Sequence, residues 1–99
     1  MQGWYADTFE REMGCTVPEL VRWLPGASGE SDVALQTDSA VITLGAGTLR
    51  LRWHPLPPRQ IALMRMPRLA VSFAFENVDE SQRQRFMRYF DLYTQRGGG

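Results

Sequence analysis

Residues 40–54, AVITLGAGTLRLRWH, carry the pattern that decides the fold of this chain. Apolar and polar side chains alternate on both sides of Gly45-Ala46, which is the period of a half-buried β-strand. A two-residue turn with glycine in its first position is typical of a type II′ hairpin. Such a turn pairs Ile42 with Leu49 and puts the apolar side chains of both strands on one face. The segment therefore predicts an antiparallel hairpin with one core face.

The alternation extends in both directions from this hairpin. It predicts strands near residues 32–37, 40–45, 47–54 and 59–76. A second two-residue turn at Asp38-Ser39 would pair Leu35 with Ile42 and again keep apolar residues on one face. The predicted core face of the first three strands consists of Val33, Leu35, Ile42, Leu44, Leu49, Leu51 and Trp53.

Pro67 interrupts the last predicted strand. Ile61, Leu63 and Leu69 share one parity across it, so all three are expected on the core face. Because proline cannot donate to a ladder, we expect Pro67 at an edge or a turn. Two arrangements stay open: one long strand bent at a bulge, or a three-residue turn that divides it. The preceding HPLPPR, residues 54–59, is interpreted as an extended connection between strands.

Two short helices are predicted at the N-terminal end of the chain. Residues 4–13 place apolar side chains at spacings of four, which suits an amphipathic helix. These side chains are Tyr5, Phe9 and Met13. Thr16 and Glu19 have the spacing of a capping box and start a second helix. We expect this second helix to end at Pro25-Gly26.

A long C-terminal helix is predicted after Asp79, which with Gln82 has the spacing of a helix cap. Its apolar stripe is aromatic and consists of Phe86, Tyr89, Phe90 and Tyr93. This stripe is expected to pack on the core face of the sheet. The predicted fold is therefore α+β in a single domain, residues 1–99. It has two short N-terminal helices, a mainly antiparallel sheet of four or five strands, and the C-terminal helix on one sheet face.

The second face of the predicted sheet collects basic and small side chains. Five Arg and the only His lie between Asp38 and Glu76, and no acidic residue does. A solvated strand usually carries charged residues or Thr, so small and apolar side chains indicate that something covers them. Since the helices belong to the core face, we expect a partner here, either a second copy or another protein. The candidate partner or anion face consists of Arg50, Arg52, His54, Met64, Ala70 and Ser72.

The favoured function is a non-catalytic interaction module that is homodimeric through this face, and two alternatives stay open. A small-ligand site between sheet and helices would be lined by Trp23 and Trp53. An Arg-centred anion or nucleic-acid binder would use Arg50 and Arg52, because the guanidinium fork suits phosphates and carboxylates. The balance of eleven basic and eleven acidic residues argues against a general nucleic-acid binder.

Cys15 is the only cysteine and the one candidate for a reactive thiol. It precedes a helix start, where the helix dipole lowers the pKa of a thiol. No metal-ligand spacing, phosphate-binding loop or cofactor motif is recognised, so no metal and no cofactor are expected.

A cytoplasmic location is expected for three reasons. A single cysteine forms no intrachain disulfide, which fits a reducing compartment. The first residues lack the pattern of a secretory signal. No apolar run approaches the roughly 20 residues of a membrane span. The terminal Gly97–Gly99 is interpreted as a flexible stop.

Overall fold

The computed structural model describes residues 4–95, which form a five-stranded antiparallel sheet and two helices. The elements are β1 (Thr8–Met13), α1 (Val17–Ala27), β2 (Val33–Leu35), β3 (Ser39–Leu44), β4 (Gly47–Ile61), β5 (Met64–Glu76) and α2 (Glu80–Gln95). The strand order is β1-β5-β4-β3-β2. The α+β class and the antiparallel sheet are thereby confirmed. Gly97–Gly99 lies outside the described residues.

The β3–β4 hairpin has the predicted turn and register. Gly45 has a φ of 60°, the sign that the first central residue of a type II′ turn requires. Ile42 lies opposite Leu49, as the turn length demands. Along β4 the odd-numbered Leu49, Leu51 and Trp53 are buried, and the even-numbered residues from position 50 to 54 are exposed. The hairpin prediction is confirmed.

The register predicted for β2 is wrong by two residues. Val33 lies opposite Ile42, the position predicted for Leu35. The connection is wider than a two-residue turn, and within it the Gln36 N–H donates to the Ser39 carbonyl at 2.8 Å. An even shift keeps every side chain on its predicted face. It moves Leu35 to the end of the strand, where its side chain is exposed.

The helix predicted over residues 4–13 is wrong, because this segment contains β1, which pairs antiparallel with β5. A spacing of four is even, so Phe9 and Met13 share one face of a strand as well as of a helix. Between them Arg11 also lies on the core side, with its guanidinium 5.2 Å from the centre of the Phe73 ring. Because Arg11 is charged, the alternation of apolar and polar residues that identifies a strand is interrupted at this inward position.

β4 and β5 continue past the other strands as a two-stranded ribbon, residues 55–68, which we call the arm. The turn of this ribbon lies at Ala62-Leu63. Neither of the two arrangements left open for the last predicted strand has a turn at this position. Residues 54–61 thus belong to β4 and do not form a connection between strands. Ile61 and Leu63, expected in the core, are 53% and 97% exposed.

Pro67 lies inside β5, where no neighbour needs its missing N–H. On one side β1 ends with Met13 opposite Leu69. On the other side the β4–β5 register shifts between Leu56 and Arg59, so Pro67 faces an irregularity of the ladder. This position satisfies the rule that confines proline to bulges and free edges.

Helix α1 begins at the predicted capping box. The Thr16 N–H donates to Glu19 Oε1 at 2.9 Å, and the Glu19 N–H donates to Thr16 Oγ1 at 3.3 Å. The predicted end at Pro25-Gly26 is one residue too early, since α1 reaches Ala27. A Cβ at Gly26 would overlap the Tyr93 ring, so this glycine allows the two helices to pack closely.

Helix α2 begins after Asp79, whose Oδ1 accepts from the Gln82 N–H at 2.8 Å. Phe90 is fully buried, together with Met87, which the predicted aromatic stripe did not include. Tyr89 of that stripe is 49% exposed. Both helices contribute to one core on a single face of the sheet, and the other face stays open.

Candidate functional site

The sheet face opposite the helices, which we call the open face, has a floor of small side chains on β5. The floor consists of Ala70, Ser72 and Ala74. β5 is an interior strand with β1 on one side and β4 on the other. Protection of a sheet edge therefore does not explain the composition of this strand.

Charged residues of opposite sign stand on the two sides of this floor. β4 contributes a basic wall, in which Arg52 lies opposite Ser72; its members are Arg50, Arg52 and His54. β1 contributes an acidic wall, Glu10 and Glu12, in which Glu10 lies opposite Ser72 from the other side. The walls are two strand spacings apart, about 10 Å. A shallow groove of about 580 Å³ runs over Ala70 and Ser72, and its lining also includes Asp38.

Several charges of the open face have no partner within the described part of the chain. Glu10, Arg50 and Arg52 make no ion pair within 4.0 Å among residues 4–95. All three residues are exposed. Unpaired exposed charges around an uncharged floor are suited to a partner that carries the complementary pattern.

Glu12, in contrast, is used inside the chain. Arg68 donates to both of its carboxylate oxygens, from Nε and Nη2, each at 2.9 Å. A second guanidinium, that of Arg59, lies 3.7 Å from Glu12 Oε2. The hydrogen bonds from Arg68 hold the pKa of Glu12 below its usual value. This cluster ties the base of the arm to β1.

Five residues of the predicted partner or anion face lie together on the open face: Arg50, Arg52, His54, Ala70 and Ser72. Met64 lies apart from them, near the tip of the arm, and is 63% exposed. The acidic wall was missed because its strand was assigned to a helix. The alternation of Phe9 and Met13 with Glu10 and Glu12 was the signal that could have revealed it.

Trp23 and Trp53, predicted to line a ligand pocket between sheet and helices, both belong to the hydrophobic core on the helix side of the sheet. Trp53 is buried on the core face of β4. Trp23 lines a smaller hollow of about 220 Å³ beside Cys15 and Asp91. Both indole N–H groups are buried without a hydrogen-bond partner among the described residues. A ligand pocket between these two side chains stays a prediction.

A polar cluster beside this smaller hollow fastens β1 to α2. The Arg11 guanidinium binds both oxygens of Asp91, at 2.6 and 3.2 Å, and the Tyr5 hydroxyl donates to the same carboxylate. Burial, with the neighbouring Asp91, raises the pKa of Tyr5. Gln84 adds two hydrogen bonds to the backbone of Tyr5, at 2.9 and 2.7 Å. The cluster satisfies its own polar groups, and we interpret it as structural.

The Cys15 thiol is expected to react slowly with a mild alkylating reagent at pH 7.5. The side chain is 2% exposed, and burial, with the nearby Glu19 carboxylate, raises the pKa of the thiol to about 11. Because the thiolate is the nucleophile, labelling should accelerate as the pH rises toward that value. Mass spectrometry of the native protein follows the reaction. Fast labelling at pH 7.5, abolished by Cys15→Ser with the fold intact, would support a reactive thiol instead.

Within residues 4–95 no three His, Cys, Asp or Glu side chains gather closely enough to hold a metal ion. In the same range, neither the length nor the apolar content of any helix suffices to span a bilayer. The chain matches no protein-family model, and no curated protein matches its sequence.

Proposed function

We propose that this chain is a small non-catalytic interaction module whose open face binds a second copy of the chain. One observation carries the proposal. An interior strand presents a floor of small side chains between an acidic and a basic wall whose charges are largely unpaired.

The small side chains of the floor are evidence that another sheet packs on the open face. Exposed positions of an interior strand usually carry Thr or charged side chains, whereas β5 has Ala70, Ser72 and Ala74. Small side chains leave little apolar surface of their own, but they let a second sheet approach to the usual packing distance of about 10 Å. Face-to-face packing of two open faces would cover this strand in both copies.

The opposite charges of the two walls favour a second copy of the chain as the partner, in preference to an unrelated molecule. A surface that carries both signs of charge can be complementary to itself, which a two-fold dimer requires. The acidic wall also argues against a polyanion in the groove, because Glu10 and Asp38 would face its phosphates. Nucleic acid is therefore disfavoured on this face, although Arg50 and Arg52 lie there.

We further propose that the module acts in the cytoplasm. Its one cysteine is buried, and the raised pKa of the thiol protects it from oxidation and exchange. Such a thiol is compatible with a reducing compartment and makes no structural disulfide.

The substitution Ala70→Glu tests the proposed interface. Ala70 lies between Glu12 and His54 in the floor, so a carboxylate there would be buried against the second copy without a partner. We expect the wild-type protein to sediment as a dimer at high micromolar concentration and the variant to be monomeric or insoluble.

Arg50→Ala is the matched control for this experiment. Arg50 lies opposite Ala74, and neither residue lines the groove. Loss of this one exposed charge should therefore have little effect on association. Its mass in solution should equal that of the wild type. An Ala70→Glu variant that remains a soluble dimer would show that the open face is not the interface.

A further inference from the structure

A sheet face can bind a second copy of itself with a two-fold axis along its strands or across them. An axis along β5 places β1 of each copy over β4 of the other. An axis across β5 places β1 over β1 and β4 over β4. The two arrangements use the same open face and differ in which residues meet.

The charges of the open face distinguish these arrangements. Glu10, Ser72 and Arg52 form one row at right angles to the strands. An axis along β5 through Ser72 turns this row end for end, so each Glu10 faces Arg52 of the second copy. An axis across β5 would set Glu10 against Glu10 and Arg52 against Arg52, which costs free energy through like-charge repulsion.

From this pattern we infer that the axis of the dimer runs along β5 and that the two arms project side by side from the same end. The inference rests on the proposed dimer and specifies its geometry. The arm carries four exposed large apolar side chains, which the body of its own chain leaves uncovered: Ile61, Leu63, Met64 and Met66. With the axis along β5, the apolar tips of both copies lie next to each other. With the axis across β5, they lie at opposite ends of the dimer.

The ion pairs at the base of the arm link the position of each arm to the symmetry of the open faces. Arg59 and Arg68 hold the arm to Glu12 on the acidic wall. The base of each arm is therefore fixed relative to the open face, and the axis that relates the two faces also relates the two arms. A single two-fold axis along β5 therefore brings the apolar arm tips together and pairs the opposite charges of the open faces.

Charge reversal tests which residues meet. Glu10→Arg places Arg against Arg52 of the second copy, and Arg52→Glu places Glu against Glu10. Each single variant should weaken dimerisation at least about tenfold. The double variant restores both ion pairs and should dimerise about as well as the wild type. Single variants that dimerise normally, or a double variant no better than the singles, would overturn the inferred axis.

The distance between the arm tips gives an independent test. Leu63→Cys, in a Cys15→Ala background, puts a spin label at a site that is 97% exposed. Leu63 lies nine residues from Ser72, about 30 Å along the strand. Side-by-side arms predict roughly 10–25 Å between labels in pulsed electron paramagnetic resonance, and opposed arms predict roughly 60 Å.

The outcomes separate the geometry from the proposed function. A dimer whose labels are roughly 60 Å apart overturns the axis and leaves the open-face dimer standing. A protein that is monomeric before and after labelling overturns both. A dimer with the short distance, together with the restored double variant, supports the axis along β5.

Discussion

Phe90→Ala is expected to lower the free energy of unfolding by about 3–5 kcal/mol, the range for truncation of a large core aromatic. Phe90 is fully buried in α2. Its ring meets the Phe73 ring edge-on at 5.7 Å, and the Phe86 ring lies 5.9 Å away. Removing it leaves a cavity between helix and sheet that rigid strands cannot close. Urea denaturation followed by circular dichroism measures the loss.

Leu92→Ala is the matched control, since it removes a large side chain from the same helix at a position that is 56% exposed. The control should change stability by no more than about 0.5 kcal/mol. Both variants must be compared with the wild type at one protein concentration, because the proposed dimerisation would contribute to apparent stability. A loss below about 1 kcal/mol for Phe90→Ala would contradict the packing of α2 on the sheet.

Gly47→Ala is expected to cost about 3 kcal/mol, near the upper end of the range for overpacking. A Cβ at Gly47 would overlap the carbonyl oxygens of Glu76 and Asn77, where the chain leaves β5. The atoms that a Cβ would meet belong to the backbone, so they cannot move aside as the end of a flexible side chain can. It is also held in place, because Asn77 has a φ of 59° and its Nδ2 donates to the Ala46 carbonyl at 3.0 Å.

Gly14→Ala provides the contrast. A Cβ at Gly14 would meet the Pro67 carbonyl oxygen only at 4.0 Å, an ordinary contact. Its stability should stay within about 0.5 kcal/mol of the wild type. If thermal or urea unfolding finds Gly47→Ala as stable as Gly14→Ala, the close approach of the β5 end to the β3–β4 turn is wrong.

Local signals in the sequence were sufficient for the β3–β4 hairpin and for the starts of both helices. The Gly45-Ala46 turn set the register of Ile42 with Leu49, and through it the outward position of Arg50 and Arg52. Turn length and period act over a few residues, so no distant contact was needed. The turn length and the period of two were therefore enough to predict the basic half of the open face.

The acidic half depends on contacts between distant parts of the chain. Arg11 is inward because Asp91, 80 residues later, binds it. An inward charge breaks the apolar pattern by which a strand is recognised, so β1 and its Glu10 were assigned to a helix. Tertiary pairing with β5 overrides the weak helical spacing of this segment.

The arm was missed for a different reason. Ile61 and Leu63 keep the alternation of a buried strand in the sequence, yet β1 and β3 end before reaching them. The register shift between Leu56 and Arg59 also places Ile61 opposite Met64, away from the core-face parity of β5. Periodicity reveals neither a bulge nor whether another element covers a face. The open face is likewise left uncovered by both helices.

Sedimentation equilibrium of the wild-type protein across low to high micromolar concentrations tests the proposed dimer most directly. One chain has a mass of 11.3 kDa. Self-association through the open face predicts an apparent mass that rises with concentration and levels off at twice this value. A mass that stays at 11.3 kDa up to the highest concentration would contradict it.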